Sequence, residues 1–152
     1  MRFLCLIVSI LILNGVGCKS KTETETDNET NNDLSDIANK LYFENRYLEA
    51  VSAFDKAIEM DSLNGELYFR RAYSLCQVNM HERSIPDYLK SASLGFNEFD
   101  SYYSIGILYM TILHDDSIAE HYFNKCLQID PNSEQVKEML KIIKGGDKNN
   151  FL

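Results

Sequence analysis

Ser117-Ile118-Ala119-Glu120-His121-Tyr122-Phe123-Asn124-Lys125-Cys126-Leu127-Gln128-Ile129-Asp130-Pro131-Asn132 carries the pattern on which the fold is decided. Ala119, Phe123 and Cys126 stand four and three apart, and Ile118, Tyr122 and Leu127 widen the stripe. One helical face therefore mixes small and large apolar side chains, and the small ones admit a second helix at close range. Pro131 disfavours helical backbone at Asp130, so the helix is expected to stop there. The same figure occurs twice upstream: Ala50, Phe54, Ala57, Ile58 and Asp61, then Ser84, Tyr88, Ser91 and Ala92.

Ala50 to Ser84 is 34 positions and Ser84 to Ala119 is 35, the period range of helical-hairpin solenoids. On these residues the chain resembles the tetratricopeptide repeat, a unit of two antiparallel helices with a small residue midway along the first and small and aromatic residues in the second. The resemblance implies an all-α superhelix of three hairpins, 31–64, 65–98 and 99–132, closed by a capping helix over 133–144, with 145–152 as a frayed tail.

In the first unit Leu34, Ile37, Ala38 and Leu41 form the first-helix face, Asp33 is a candidate cap, and Asn64-Gly65 breaks the chain. In the second, Tyr68, Ala72 and Leu75 match, and Arg71 takes a place the family usually gives to Leu. The pair Arg70-Arg71 reads either as a ligand-facing charge or as side chains snorkelling from a half-exposed helix. Pro86 is tolerable only in a first turn, so a late start or a bend is expected there, and Gly95 is placed to end that helix. In the third, Tyr102, Ile105, Gly106 and Tyr109 match, one extra residue lies in the turn Ile112 to Asp116, and Asp116 or Ser117 is the expected cap. Val136, Met139, Leu140 and Ile143 give the last helix one apolar face, which suits a terminal cap with a polar exterior.

The chain has 152 residues, 45% hydrophobic and 25% charged, with a net charge of −8. Without a long basic run it is a poor partner for nucleic acid, which needs clustered Lys and Arg. Met1-Arg2 and the eleven-residue run Phe3 to Leu13 have signal-peptide proportions and are too short for a membrane-spanning helix, which takes about 20 apolar residues. Val16-Gly17-Cys18 then resembles a bacterial lipoprotein processing site, although Gly15 stands where such sites usually carry Leu. That implies a signal peptide over 1–17, lipidation of Cys18, and a membrane-tethered domain in the cell envelope; ordinary secretion is the alternative. Residues 19–33 contain no apolar side chain and read as a solvated acidic tether.

Nothing in the sequence supports catalysis. His81, His114 and His121 include no i, i+4 pair, and no HExxH, CxxC, GxSxG or glycine-rich phosphate loop is present. No catalytic residue, metal site or cofactor is assigned. Asp115-Asp116 reads as a solvated turn, Cys126 as an inert thiol of the stripe, and no Cys76–Cys126 disulfide is expected.

What the resemblance implies instead is a concave groove, lined by the first helices, that binds a peptide or partner protein. Its candidate residues are Asn39, Tyr42, Phe69, Arg70, Tyr73, Tyr103 and Ile107, aromatic-rich because rigid rings give contact area at low entropic cost. Some relatives hold a chaperone's terminal carboxylate at places that here carry Ser35, Asn39, Arg70, Asp100 and Ser104. Only Asn39 matches that clamp. The alternatives are a structural subunit of an envelope complex or homo-oligomer with its groove occupied and, least supported by the motifs, a metal-dependent enzyme.

Overall fold

The computed structural model describes residues 34–145, all of them helix or short turn. The expectations for the signal peptide, Cys18, the tether, the Asp33 cap and the tail beyond 145 lie outside the described residues. Helix α1 covers 34–43. It is followed by α2 Tyr47–Met60, α3 Gly65–Gln77, α4 His81–Ser93, α5 Glu98–Thr111, α6 Asp116–Ile129 and α7 Glu134–Gly145. Each helix from α2 onward packs on its neighbours in chain order, the hallmark of a stack that grows by nearest-neighbour contacts.

Local backbone chemistry sets the reversals. The first helix of every hairpin ends on a residue in the left-handed region: Asn45 (φ 59°), Asn79 (φ 60°) and His114 (φ 55°). In the first two hairpins the next amide reaches back five residues, Arg46 N–H to the Leu41 carbonyl and Met80 N–H to that of Leu75, which satisfies carbonyls the helix end would otherwise leave open. Gly95 (φ 76°) does the same after α4, with Phe96 N–H donating to Ser91. The third hairpin's extra residue is accommodated here, where Leu113 N–H bonds Leu108 and Asp115 N–H reaches Tyr109.

Two expectations need correcting. The cap of α6 is Asp115, not Asp116 or Ser117, its carboxylate accepting from Ile118 N–H at 3.0 Å. The cap keeps the phase of the other hairpins, four residues before the small residue of the second helix, as Arg46 stands to Ala50 and Met80 to Ser84. Of the two outcomes expected at Pro86, a late start or a bend, the late start does not occur: α4 begins at His81 and runs through it. Pro86 and Glu82, four residues before it, are both exposed on α4, where a missing backbone hydrogen bond costs least.

The core runs as three linked clusters between the layers. Ala38, Ala50, Phe54, Ala57, Ile58 and Leu67 fill the first hairpin and its contact with α3. Ala72, Tyr88, Ile105 and Leu108 join the second hairpin to α5. Met110, Ala119, Phe123, Cys126, Val136, Met139 and Leu140 join α5, α6 and α7. Gly106 shows why the stripe needs small residues: a Cβ there would lie 2.6 Å from Cε1 of fully buried Phe123. The outer face of α7 is polar, with Lys137 paired to Glu134 and Lys141 to Glu138.

Candidate functional site

The first helices α1 and α3 bring Asn39, Tyr42, Arg70 and Tyr73 together on one face. Arg70 Nη1 donates to Asn39 Oδ1 at 2.6 Å, across the interface between the hairpins. Its Nη2 is paired with Glu66, one turn earlier on α3. The guanidinium also lies over the rings of Tyr42 and Phe43, 5.6 and 5.1 Å from their centroids. Tyr42 meets Tyr73 edge to face at 5.5 Å, and Tyr47 closes the group at 6.2 Å from Tyr42 and 6.0 Å from Tyr73. Burial pushes the Tyr42 phenol above its ordinary range, with the neighbouring Tyr73 adding to the rise. A rigid platform results, in which three rings and one cation hold each other while Phe43 and Tyr73 remain exposed.

The other candidate residues lie elsewhere. Phe69 is half-buried, its ring edged against Tyr88 of α4 and Phe96 of the following turn, at 5.5 and 5.9 Å. Tyr103 stacks on Phe99, tilts against Phe123 and packs against the cluster that includes Val136, Met139 and Leu140 of α7. Ile107 packs in the same cluster with Val136 and Met139. The third unit's share of the inner face is thus largely spent in seating α7, and the open platform belongs to the first two units.

Arg71 is the residue whose setting the sequence reading missed. Its Nε and Nη2 grip both carboxylate oxygens of Asp87 on α4 at 2.7 Å each, and its Nη1 reaches Asp55 on α2 at 2.7 Å. Asp87 is 6% exposed. Burial works against the Arg71 charge, but the hydrogen bonds and charges of Asp87 and Asp55 outweigh it and hold its pKa above the ordinary value. A signal was present: both acids stand 16 residues from Arg71, one on each side. This triad ties three helices and supports the platform from behind the adjacent residue Arg70.

Among the described residues the two thiols, Cys76 and Cys126, are shielded and hard to ionise. Cys126 is fully buried with its Sγ 3.5 Å from the Phe99 carbonyl, and burial pushes it up to about 12. Cys76 donates to Ser84 Oγ at 3.1 Å, is likewise raised by burial, and like Cys126 is unpaired. Among the described residues no three His, Cys, Asp or Glu side chains are placed to hold a metal ion, and no helix is long and apolar enough to cross a membrane.

Comparison with known proteins agrees with this architecture. Residues 99–133 match the family model described as Tetratricopeptide repeat. The chain is 31% identical over 107 residues to the small glutamine-rich tetratricopeptide repeat-containing protein of Dictyostelium discoideum. That match covers 70% of this chain, which spans about a third (32%) of the relative. Among solved structures, the first repeat domain of Spaghetti (RPAP3) bound to an HSP90 peptide superposes with TM-score 0.66 at 20% identity, over 78% of this chain and 93% of that one. The Yersinia enterocolitica type III secretion chaperone SycD, in complex with a peptide of the translocator YopD, gives TM-score 0.69 at 16% identity, over 78% and 95%. With its three helical hairpins and closing helix, the described chain is an all-α superhelix of the tetratricopeptide-repeat type.

Proposed function

We propose that this chain is a non-catalytic, membrane-tethered interaction module that binds a peptide or protein partner on the concave face of its first helices. The observation that carries the reading is the Asn39–Tyr42–Arg70–Tyr73 platform, a preorganised aromatic and cationic surface that the hairpins hold open. Groups already locked by their neighbours lose little entropy when a partner arrives, so the contact area is retained as affinity. That similar folds have been solved with bound peptides supports a peptide-binding role.

The anchor in this reading is Cys18, within the lipoprotein-like stretch Val16-Gly17-Cys18, with residues 19–33 as spacer between an envelope membrane and the repeats. Cys18→Ala is expected to release the protein from the membrane fraction. For the groove, a photoreactive amino acid at Tyr73 is expected to capture a discrete partner in cells, and capture is expected to be lost when Arg70→Ala and Tyr42→Ala are introduced together. Undiminished capture in that double variant would remove the platform from the binding surface.

A further inference from the structure

Arg70 supplies the platform's positive charge, and that charge is answered within the fold. Glu66 pairs with Nη2, Asn39 Oδ1 accepts from Nη1, and the rings of Tyr42 and Phe43 lie against the guanidinium. An acidic partner would have to displace Glu66, and a cationic one would have to displace Arg70 from the rings. What stays open is uncharged ring surface, with Phe43 69% exposed and Tyr73 36%. Asn39 adds donors to it. Arginine carries donors only, so the Asn39 amide oxygen must face Arg70, and the two N–H groups of Nδ2 are directed away from it.

Phe43, Tyr42 and Tyr73 follow one another edge to face, with centroid steps of 5.3 and 5.5 Å and interplanar angles of 79° and 66°, so the surface is ridged instead of flat. Crossing from Phe43 to Tyr73 takes no more than about three to four residues of polyproline II helix, at about 3.1 Å each. Other kinds of segment fit less well. A strand needs an open sheet edge, and the described residues contain no strand. A partner helix closes its carbonyls in its own ladder, which leaves the Asn39 amide without a backbone acceptor, and its further turns would meet the inner face of α5, where Tyr103 and Ile107 are taken up in seating α7. An extended segment of ordinary residues brings an N–H at every position to a surface of rings and donors. Proline brings none, keeps its carbonyl free to accept, and arrives already extended, so little conformational entropy is lost.

We propose that the platform takes an uncharged, proline-rich segment in the polyproline II conformation, its pyrrolidine rings on Phe43, Tyr42 and Tyr73 and one of its carbonyls on Asn39 Nδ2. This specificity rests on the reading of the platform as the partner-binding surface and adds the partner's chemistry to it.

Fluorescence anisotropy of short labelled peptides, titrated with the full-length chain in mild detergent, tests it. A peptide of Ala-Pro-Pro repeats is expected to bind, and versions with each proline replaced by glutamine, or with a glutamate at every third position, to bind at least about tenfold more weakly. Raising the salt from low to near-molar should leave the proline peptide's affinity within about twofold, because no ion pair forms with it. Tyr73→Ala should cost about tenfold with unchanged helical circular dichroism, since the ring is partly exposed in the fold. Glu66→Gln, which removes the charge paired with Arg70, should strengthen the glutamate peptide and leave the proline peptide unchanged. Tighter binding of the glutamine or glutamate peptide to the parent chain, an affinity for the proline peptide that falls with salt, or a Tyr73→Ala chain that binds it as the parent does overturns the assignment. If no peptide binds while position 73 still captures a partner in cells, the polyproline specificity fails and the interaction surface stands. If capture fails as well, both fall.

Discussion

Replacing Arg71 with isoleucine removes one cation from between two acids, and the structure says which loss dominates. Asp55 is 47% exposed at its side chain, so its pairing is screened and contributes at most about 1 kcal/mol. Asp87 is 9% exposed at its side chain and loses both bonds of a two-pronged grip. Breaking a buried pair by removing one partner costs about 3–5 kcal/mol, because the remaining charge stays desolvated. The Arg71 side chain is itself 19% exposed, which allows water some access, so the lower end applies: about 3 kcal/mol for Arg71→Ile. The third hairpin supplies the control, since it places Ile105 and Tyr122 where the second has Arg71 and Asp87. The double variant Arg71→Ile, Asp87→Tyr puts a ring beside Tyr68 and Leu75, as Tyr122 sits beside Tyr102 and Tyr109. It should recover most of the loss. Urea unfolding followed by far-ultraviolet circular dichroism measures both. A single variant within about 0.5 kcal/mol of the parent, the range of ordinary surface substitutions, would refute the reasoning, as would a double variant no better than the single.

Gly106→Ala should destabilise by about 1–2 kcal/mol despite alanine's better helix propensity, because the added methyl meets the Phe123 ring and overpacking costs about 1–3 kcal/mol; Phe123→Leu in the same chain should relieve part of it in thermal unfolding. The Cys126 thiol, raised from 9.0 to about 12, and the Tyr88 phenol, also raised by burial, stay protonated in the fold after they ionise in the unfolded chain. Their contribution to stability is therefore complete below pH 9 and is lost as pH rises from there. The decline approaches about 1.4 kcal/mol per pH unit for each group that ionises only in the unfolded chain, and a pH series of urea midpoints checks it. Maleimide labelling of Cys126 at neutral pH should be slow in the native protein and fast in urea.

The helical repeat was legible in the sequence because its signal is local. Ala119, Phe123 and Cys126 occupy one face whatever surrounds them, and Gly106 and Ala38 stand where only a small residue lets two helices meet. The Schellman-type ending at Gly95 was legible for the same reason, since positive φ is a property of the residue. The α6 cap was placed one or two residues late because Asp115, Asp116 and Ser117 are all able to cap, and only the path of the turn chooses among adjacent polar residues. Pro86 misled in another way. Its rule concerns a lost hydrogen bond, and whether that loss matters depends on whether the freed carbonyl finds water.

For the candidate site the division follows from what a side chain meets. Sequence alone determined that Asn39, Tyr42, Phe69, Arg70, Tyr73, Tyr103 and Ile107 fall on the first helices, because register along a helix is fixed by its 3.6-residue turn. Only the tertiary structure decided that Tyr103 and Ile107 are taken up in seating α7, that Phe69 is edged against Tyr88 and Phe96, and that Asn39, Tyr42, Arg70 and Tyr73 remain as an open platform. Arg70 and Arg71 make the point most sharply. They are chemically identical and adjacent, yet the turn of about 100° between them sends one into an aromatic surface and the other into a three-helix ion cluster. Their different surroundings are made by residues 16 to 31 positions away, and those become neighbours only when the hairpins stack.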